Sequence, residues 1–201
     1  MSIHTLVGIE FNSNLDEIAG IISQLQSKSR NEAGCALYTF TKIVGVEGQF
    51  RFIELWDNNE ALTSHDNSYH FATLVPKLVE LTKINYIKKT IASDKNSLSL
   101  PAPTKNDIYL VVYLIVEDKS QFGIYADEIT LFSRQEAGCL YYSHAELDGP
   151  MEDGSNWVFV EKWLSEESLE FHRNSEHCKR LIPLLDSVSK VTLVEQSKEA
   201  F

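Results

Sequence analysis

Cysteine, proline and glycine are all scarce in this chain of 201 residues, and each scarcity closes off a class. The three cysteines are an odd number and form no CxxC pair, which argues against a disulfide framework and a structural zinc site. Nine Gly and five Pro exclude collagen-like and low-complexity chains. Long apolar runs are missing too. The longest, Ile108–Val116, is nine residues, a strand length and well short of the roughly 18 that a membrane span needs. The first residues lack the basic region and apolar core of a secretory leader, so a cytoplasmic location is expected. Positive charge is in deficit: 18 basic residues face 29 acidic ones, a formal net charge of −11. A phosphate backbone needs a basic stripe, so nucleic acid is not an expected partner. There is no glycine-rich phosphate loop, GxGxxG, HExxH or CxxCH, and neither a cofactor nor a metal is expected.

What is present is an ordinary globular composition, 43% hydrophobic and 10% aromatic, enough to bury a real core. It is unevenly charged. Residues 1–90 carry 8 basic and 10 acidic groups, whereas residues 107–201 carry 8 and 18. The excess reads as a solvated acidic surface on the second half.

The chain is a duplication. Glu32-Ala33-Gly34-Cys35 recurs 104 residues later as Glu136-Ala137-Gly138-Cys139, each copy preceded in register by Ser-Arg. Farther on the offset is 107, and 12 of the 27 positions from 52 to 78 are identical in the two copies, among them Phe52/Phe159, Glu54/Glu161, Trp56/Trp163, His65/His172 and His70/His177. The three extra residues fall in the turn-rich stretch 148–154, where insertion is tolerated. We divide the chain into repeat 1 (1–91), a linker (92–106) with the Pro101-Ala102-Pro103 segment, and repeat 2 (107–201).

Each repeat reads as strand, helix, strand, strand, helix, strand. Residues 4–11 and 108–116 are apolar runs with polar bounds. Leu15, Ile18, Ile22 and Leu25 sit at helical spacing, as do Phe122, Tyr125, Ile129 and Phe132. Each helix stops before the Glu-Ala-Gly-Cys turn, where Gly can turn left-handed. A hairpin follows, then a helix broken at Asn67-Ser68, where Ser can cap the second segment. That order is the βαββαβ ferredoxin-like arrangement, an α+β class. Two helices cover one face of such a sheet. The other face needs a partner, and we expect the two repeats to pack sheet to sheet as an intrachain pseudo-dimeric α+β barrel.

The combination Glu-Ala-Gly-Cys, Glu-x-Trp and Leu-x-x-His-x-x-Ser-x-His, present in both copies, resembles the antibiotic biosynthesis monooxygenase (ABM) domain. The resemblance implies a dimeric α+β barrel, here made by tandem fusion, with a ligand cleft between sheet and helices in each repeat. Family members include cofactor-free oxygenases of quinols and polyketide hydroquinones, in which a Trp at the position of Trp56 and Trp163 lines the cleft. Phe52, Leu62, Phe159 and Leu169 stand where such enzymes carry polar residues.

Glu54 and Trp56 lie two apart on a strand and share a face with Phe52, and Phe159, Glu161 and Trp163 repeat the set. A carboxylate between aromatics, its pKa raised by burial, is a candidate base for a phenolic hydroxyl. The candidate catalytic residues are therefore Glu54, His65, Glu161 and His172, the histidines orienting substrate or bonding to Glu54. The candidate substrate-binding residues are Phe52, Trp56, His70, Phe159, Trp163 and His177. On a regular helix His65 and His70 lie roughly 140° apart, poor co-ligands for one metal. Cys35 and Cys139 read as small apolar filler, and Cys178, which stands where repeat 1 has Phe71, as a packing residue. The reading is a cofactor-independent monooxygenase acting with O₂ on a small aromatic quinol, in a chain that is a monomer or a homodimer. The alternative is a non-catalytic small-molecule-binding or stress-response module.

Overall fold

The computed structural model describes residues 2–91 and 100–201. Most of the expected linker, residues 92–99, lies outside the described residues. The chain forms two compact units. One runs to Pro103 and also takes in Glu199–Phe201; the other is Thr104–Lys198.

The first unit contains β1 (Ile3–Glu10), α1 (Asp16–Ser29), β2 (Cys35–Ile43), β3 (Gln49–Trp56), α2 (Asn59–Asp66), α3 (Tyr69–Leu81) and β4 (Lys83–Lys89). Its strands lie in the order β4-β1-β3-β2, all pairs antiparallel. The second contains β5 (Ile108–Val116), α4 (Lys119–Ser133), β6 (Cys139–Glu146), β7 (Trp157–Trp163), α5 (Glu166–Arg173), α6 (Glu176–Asp186) and β8 (Ser189–Glu199), in the order β8-β5-β7-β6. Each is a ferredoxin-like βαββαβ repeat, as the sequence pattern predicts. Among the described residues, no helix is long and apolar enough to cross a membrane.

The helices form where the pattern places them, with one change of face. In α1, Ile18, Ile22 and Leu25 are fully buried, each contributing about 1.5–3 kcal/mol by leaving water. In α4 the buried stripe is Phe122, Ala126, Ile129 and Ser133. The expected Tyr125 is half-buried and Phe132 is exposed. The small residues Ala126 and Ser133 let α4 lie close to the sheet, a demand that hydrophobicity alone does not reveal.

The break in the second helix is made by capping. The Ser68 hydroxyl accepts from the Phe71 N–H and the Ser175 hydroxyl from the Cys178 N–H, so a fresh helix starts there. The Gly of the Glu-Ala-Gly-Cys turn is needed in both copies because a Cβ would overlap the helix that follows, meeting Ala61 in the first, and in the first copy the turn adds a second reason. Gly34 is left-handed, with φ of 83°. Gly138 is not; there a Cβ would overlap the Ser168 side chain of α5. Close helix approach, rather than the turn, makes glycine necessary in the second copy.

A buried ion pair closes the second unit. Lys162 of β7 meets Asp107, just before β5, at 2.9 Å, with both side chains 1% exposed. The Thr104 hydroxyl and backbone N–H also donate to Asp107, which supplies the extra hydrogen bonds that a buried pair needs.

Candidate functional site

Strand alternation points Phe52, Glu54 and Trp56 of β3 toward the helices, and the register then decides what faces Glu54. Thr5 of β1 is its neighbour on one side and Tyr38 of β2 on the other. In the second unit Glu161 lies between Leu110 and Tyr142. Each row floors a cavity roofed by helices. The first, about 310 Å³, is walled by apolar residues such as Val7, Phe52, Val75 and Leu78. Thr5, Tyr38, Glu54, Asp66 and Lys89 are its polar lining residues besides Thr82. The second is smaller, about 220 Å³, with Phe159, Glu161 and His172 among its lining residues.

Glu54 and Glu161 are 5% and 4% exposed. Burial pushes each carboxyl up to about 7, opposed chiefly by a hydrogen bond from the tryptophan two residues on and, at Glu161, also by one from Tyr142. The Trp56 indole N–H donates to Glu54 at 3.0 Å and the Trp163 N–H to Glu161 at 2.8 Å. A carboxyl with a pKa near neutrality can take up a proton and return it. Tyr38 and Tyr142 are held well above the ordinary phenol value, first by burial and then by the charge of the facing glutamate. They are hydrogen-bonding groups rather than bases.

Not every expected site residue reaches a cavity. Phe52, Glu54, Phe159, Glu161 and His172 line one. Trp56 and Trp163 are 0% exposed and do not; the flat wall expected of them is supplied by Phe52 and Phe159. Their contact is with the carboxylate. His65 lies behind, its ring 4.5 Å from that of Trp56. It does not bond to Glu54; its Nδ1 lies 2.6 Å from Glu32. The His70 Nε2 lies 3.2 Å from the Ser29 hydroxyl and 3.8 Å from Glu32. The second unit repeats this, with His172 Nδ1 at 2.8 Å and His177 Nε2 at 3.6 Å from Glu136. Desolvation lowers His65, His172 and His177, His172 to about 3, so these imidazoles are neutral.

The paired histidines are not held 140° apart, as they would be on one regular helix. The helix break reorients the chain, and the His65 and His70 rings come within 5.7 Å, those of His172 and His177 within 5.6 Å. Burial pushes the thiols of Cys35 and Cys139 up to about 12, so neither is a thiolate nucleophile at neutral pH.

Sequence reasoning missed Thr5, Glu32 and Glu136. Thr5 is buried, lines the first cavity, and its hydroxyl has no hydrogen-bond partner. Glu32 and Glu136 sat in view in the repeated turn motif, and recurrence of a carboxylate at an otherwise small-residue turn was the available signal.

The antibiotic biosynthesis monooxygenase family model matches residues 13–77 and 117–183. The chain shares its fold with a protein of Lactobacillus acidophilus NCFM put forward as a monooxygenase, at 17% identity and a TM-score of 0.76 over 98% of this chain and 92% of that one. A protein of Fusobacterium nucleatum put forward as a monooxygenase aligns at 11% identity and a TM-score of 0.78, over 98% and 91%. An anthrone oxidase-like protein aligns at 14% identity and 0.60, over 99% and 92%. No curated protein matches the sequence.

Proposed function

Because the chain belongs to the antibiotic biosynthesis monooxygenase family, we propose that it is a cofactor-independent monooxygenase whose first cavity takes a small aromatic quinol. One observation carries this reading: a buried carboxyl poised at about 7 faces an apolar cavity beside a hydroxyl, that of Thr5, with no partner of its own. A flat apolar ring with one oxygenated edge satisfies both groups. The anthrone oxidase-like protein of the same fold is named for a substrate of that chemical kind.

Glu54 takes the phenolic proton, and the Thr5 hydroxyl donates to the adjacent oxygen as negative charge develops. Burial of the anion away from water favours its reaction with O₂. The ring carbon and O₂ form a peroxide anion, and Glu54 returns its proton to the distal oxygen, giving the hydroperoxide. Loss of the proton on the same ring carbon then makes the new carbonyl as the O–O bond breaks, and the departing hydroxide leaves with that proton as water. Quinol plus O₂ thus gives hydroxyquinone plus water, with the substrate as the sole electron donor. Trp56 fixes the Glu54 carboxyl, and the His65–Glu32 pair backs the indole. Glu161, Trp163 and His172 hold the same places in the second cavity, where Leu110 replaces Thr5 and removes the donor.

The test is oxygen consumption by chelator-treated protein against a panel of quinols and polycyclic hydroquinones. Uptake above the autoxidation blank, lost in Glu54→Gln and retained in Glu161→Gln, supports the assignment to the first cavity. Saturable quinol binding with no uptake means a non-catalytic binding module and rejects it.

A further inference from the structure

We propose that the second repeat holds a divalent transition-metal ion, zinc by its donor chemistry, between Glu136, His172, His177 and Cys178. The proposal is independent of the oxygenase reading, because that reading assigns the chemistry to the first cavity, whereas this one concerns the second repeat and is read without substrate.

The four donors arrive from three places: Glu136 from the turn after α4, His172 from the last turn of α5, and His177 and Cys178 from the first turn of α6. Ligand atoms of His172, His177 and Cys178 all lie within 4.8 Å of one another. The Glu136 side chain is only 9% exposed. Its Oε2 is met by His172, but its Oε1 is buried with no hydrogen-bond partner. That orphan oxygen faces the His177 Nε2 at 3.6 Å. The gap is too long for a hydrogen bond. It is close to the roughly 3.4 Å separating two donors bound tetrahedrally to one zinc at about 2.1 Å each. The Cys178 sulfur lies 3.4 and 3.6 Å from the His172 nitrogens, close to the roughly 3.6 Å edge expected of a sulfur and a nitrogen on zinc. It sits between the two nitrogens, over the ring, so ligation turns the imidazole toward it.

Charge favours the ion as well. A carboxylate and a thiolate with two neutral imidazoles cancel a divalent cation, so the filled cluster is neutral and suits its burial. Cys178 binds as thiolate and releases its proton on metal uptake. The sulfur selects a borderline-soft ion over magnesium or calcium. Repeat 1 supplies the contrast: Glu32, His65 and His70 recur, but Phe71 stands where Cys178 does, and Glu32 is more exposed, at 22%.

The experiment uses the full chain, reduced and chelator-treated, titrated with Co²⁺ and followed by absorbance, then with Zn²⁺ in competition. The expected result is one tight equivalent of Co²⁺ per chain, a sulfur-to-cobalt charge-transfer band in the near ultraviolet, and displacement by zinc. Cys178→Ser abolishes that band, and Glu136→Gln weakens zinc binding by roughly 10–100-fold. A wild-type protein that takes up no tight equivalent, or whose cobalt complex shows no thiolate band, overturns the proposal. So does a band that persists in Cys178→Ser, because Cys35 or Cys139 would then be the ligand.

Discussion

Replacing Glu54 by Gln separates what burial of this carboxyl costs from what it does. The carboxyl titrates at 4.5 when exposed and at about 7 in the folded chain, chiefly through desolvation. That difference corresponds to about 3 kcal/mol at the constant of about 1.4 kcal/mol per pH unit. Below pH 4.5 the group is protonated in both folded and unfolded chains, and burial carries no ionisation cost. From pH 4.5 to 7 the unfolded chain ionises while the folded one resists, so stability is lost as pH rises. Above 7 the loss is complete. Gln is neutral throughout and keeps an oxygen to accept from the Trp56 N–H. Glu54→Gln is therefore expected to match the wild type at pH 4 and to exceed it by up to about 3 kcal/mol at pH 8, or about 6–12 °C in Tm at this chain length. The other charges acting on this carboxyl, Asp66, Lys89 and Glu32, act through the same shift and are already contained in that difference. Urea unfolding at the two pH values measures it. The same variant should lose quinol-dependent oxygen uptake, whereas wild-type uptake climbs as pH rises through about 7. A variant destabilised equally at both pH values would show that Glu54 is a structural hydrogen-bonding group, and the base assignment would fall with it.

Other expectations follow from neighbouring residues. Trp56→Phe removes the indole N–H from a buried carboxylate, a bond worth about 1.5–3 kcal/mol to a charged group, and should move the pH midpoint of uptake upward by about 1–2 units. Thr5→Val removes the unpartnered hydroxyl at nearly constant volume; it should leave Tm within about 1 kcal/mol equivalent and lower kcat/KM by roughly 10-fold, the effect of losing one hydrogen bond. Asp107→Ala removes the carboxylate that meets the Lys162 ammonium at a site only 1% exposed and should cost about 3–5 kcal/mol in urea unfolding. An unchanged midpoint in that variant would mean that Lys162 finds water or another acceptor.

The duplication, the order of elements and the two ferredoxin-like repeats were legible in the residues, because strand alternation, helical spacing and serine caps act over a few positions. The break at Asn67-Ser68 is one such case, and so is the placement of Phe52, Glu54 and Trp56 on one face of β3. The failures all concern which side chain meets which. Thr5 lies 49 residues before Glu54 and faces it only through the β1–β3 register. Glu32 takes His65 from 33 residues away, and that contact redirects a histidine expected at Glu54. Trp56 shares a face with Glu54 but is sealed from the cavity, since its indole spends its one donor on the carboxylate. Ser133 displaces Phe132 from the buried stripe of α4 because the space between helix and sheet admits a small residue. Local stereochemistry is written along the chain. The partner of a buried polar atom depends on register and on the depth of packing, and these exist only once the strands have paired and the helices have come down on the sheet.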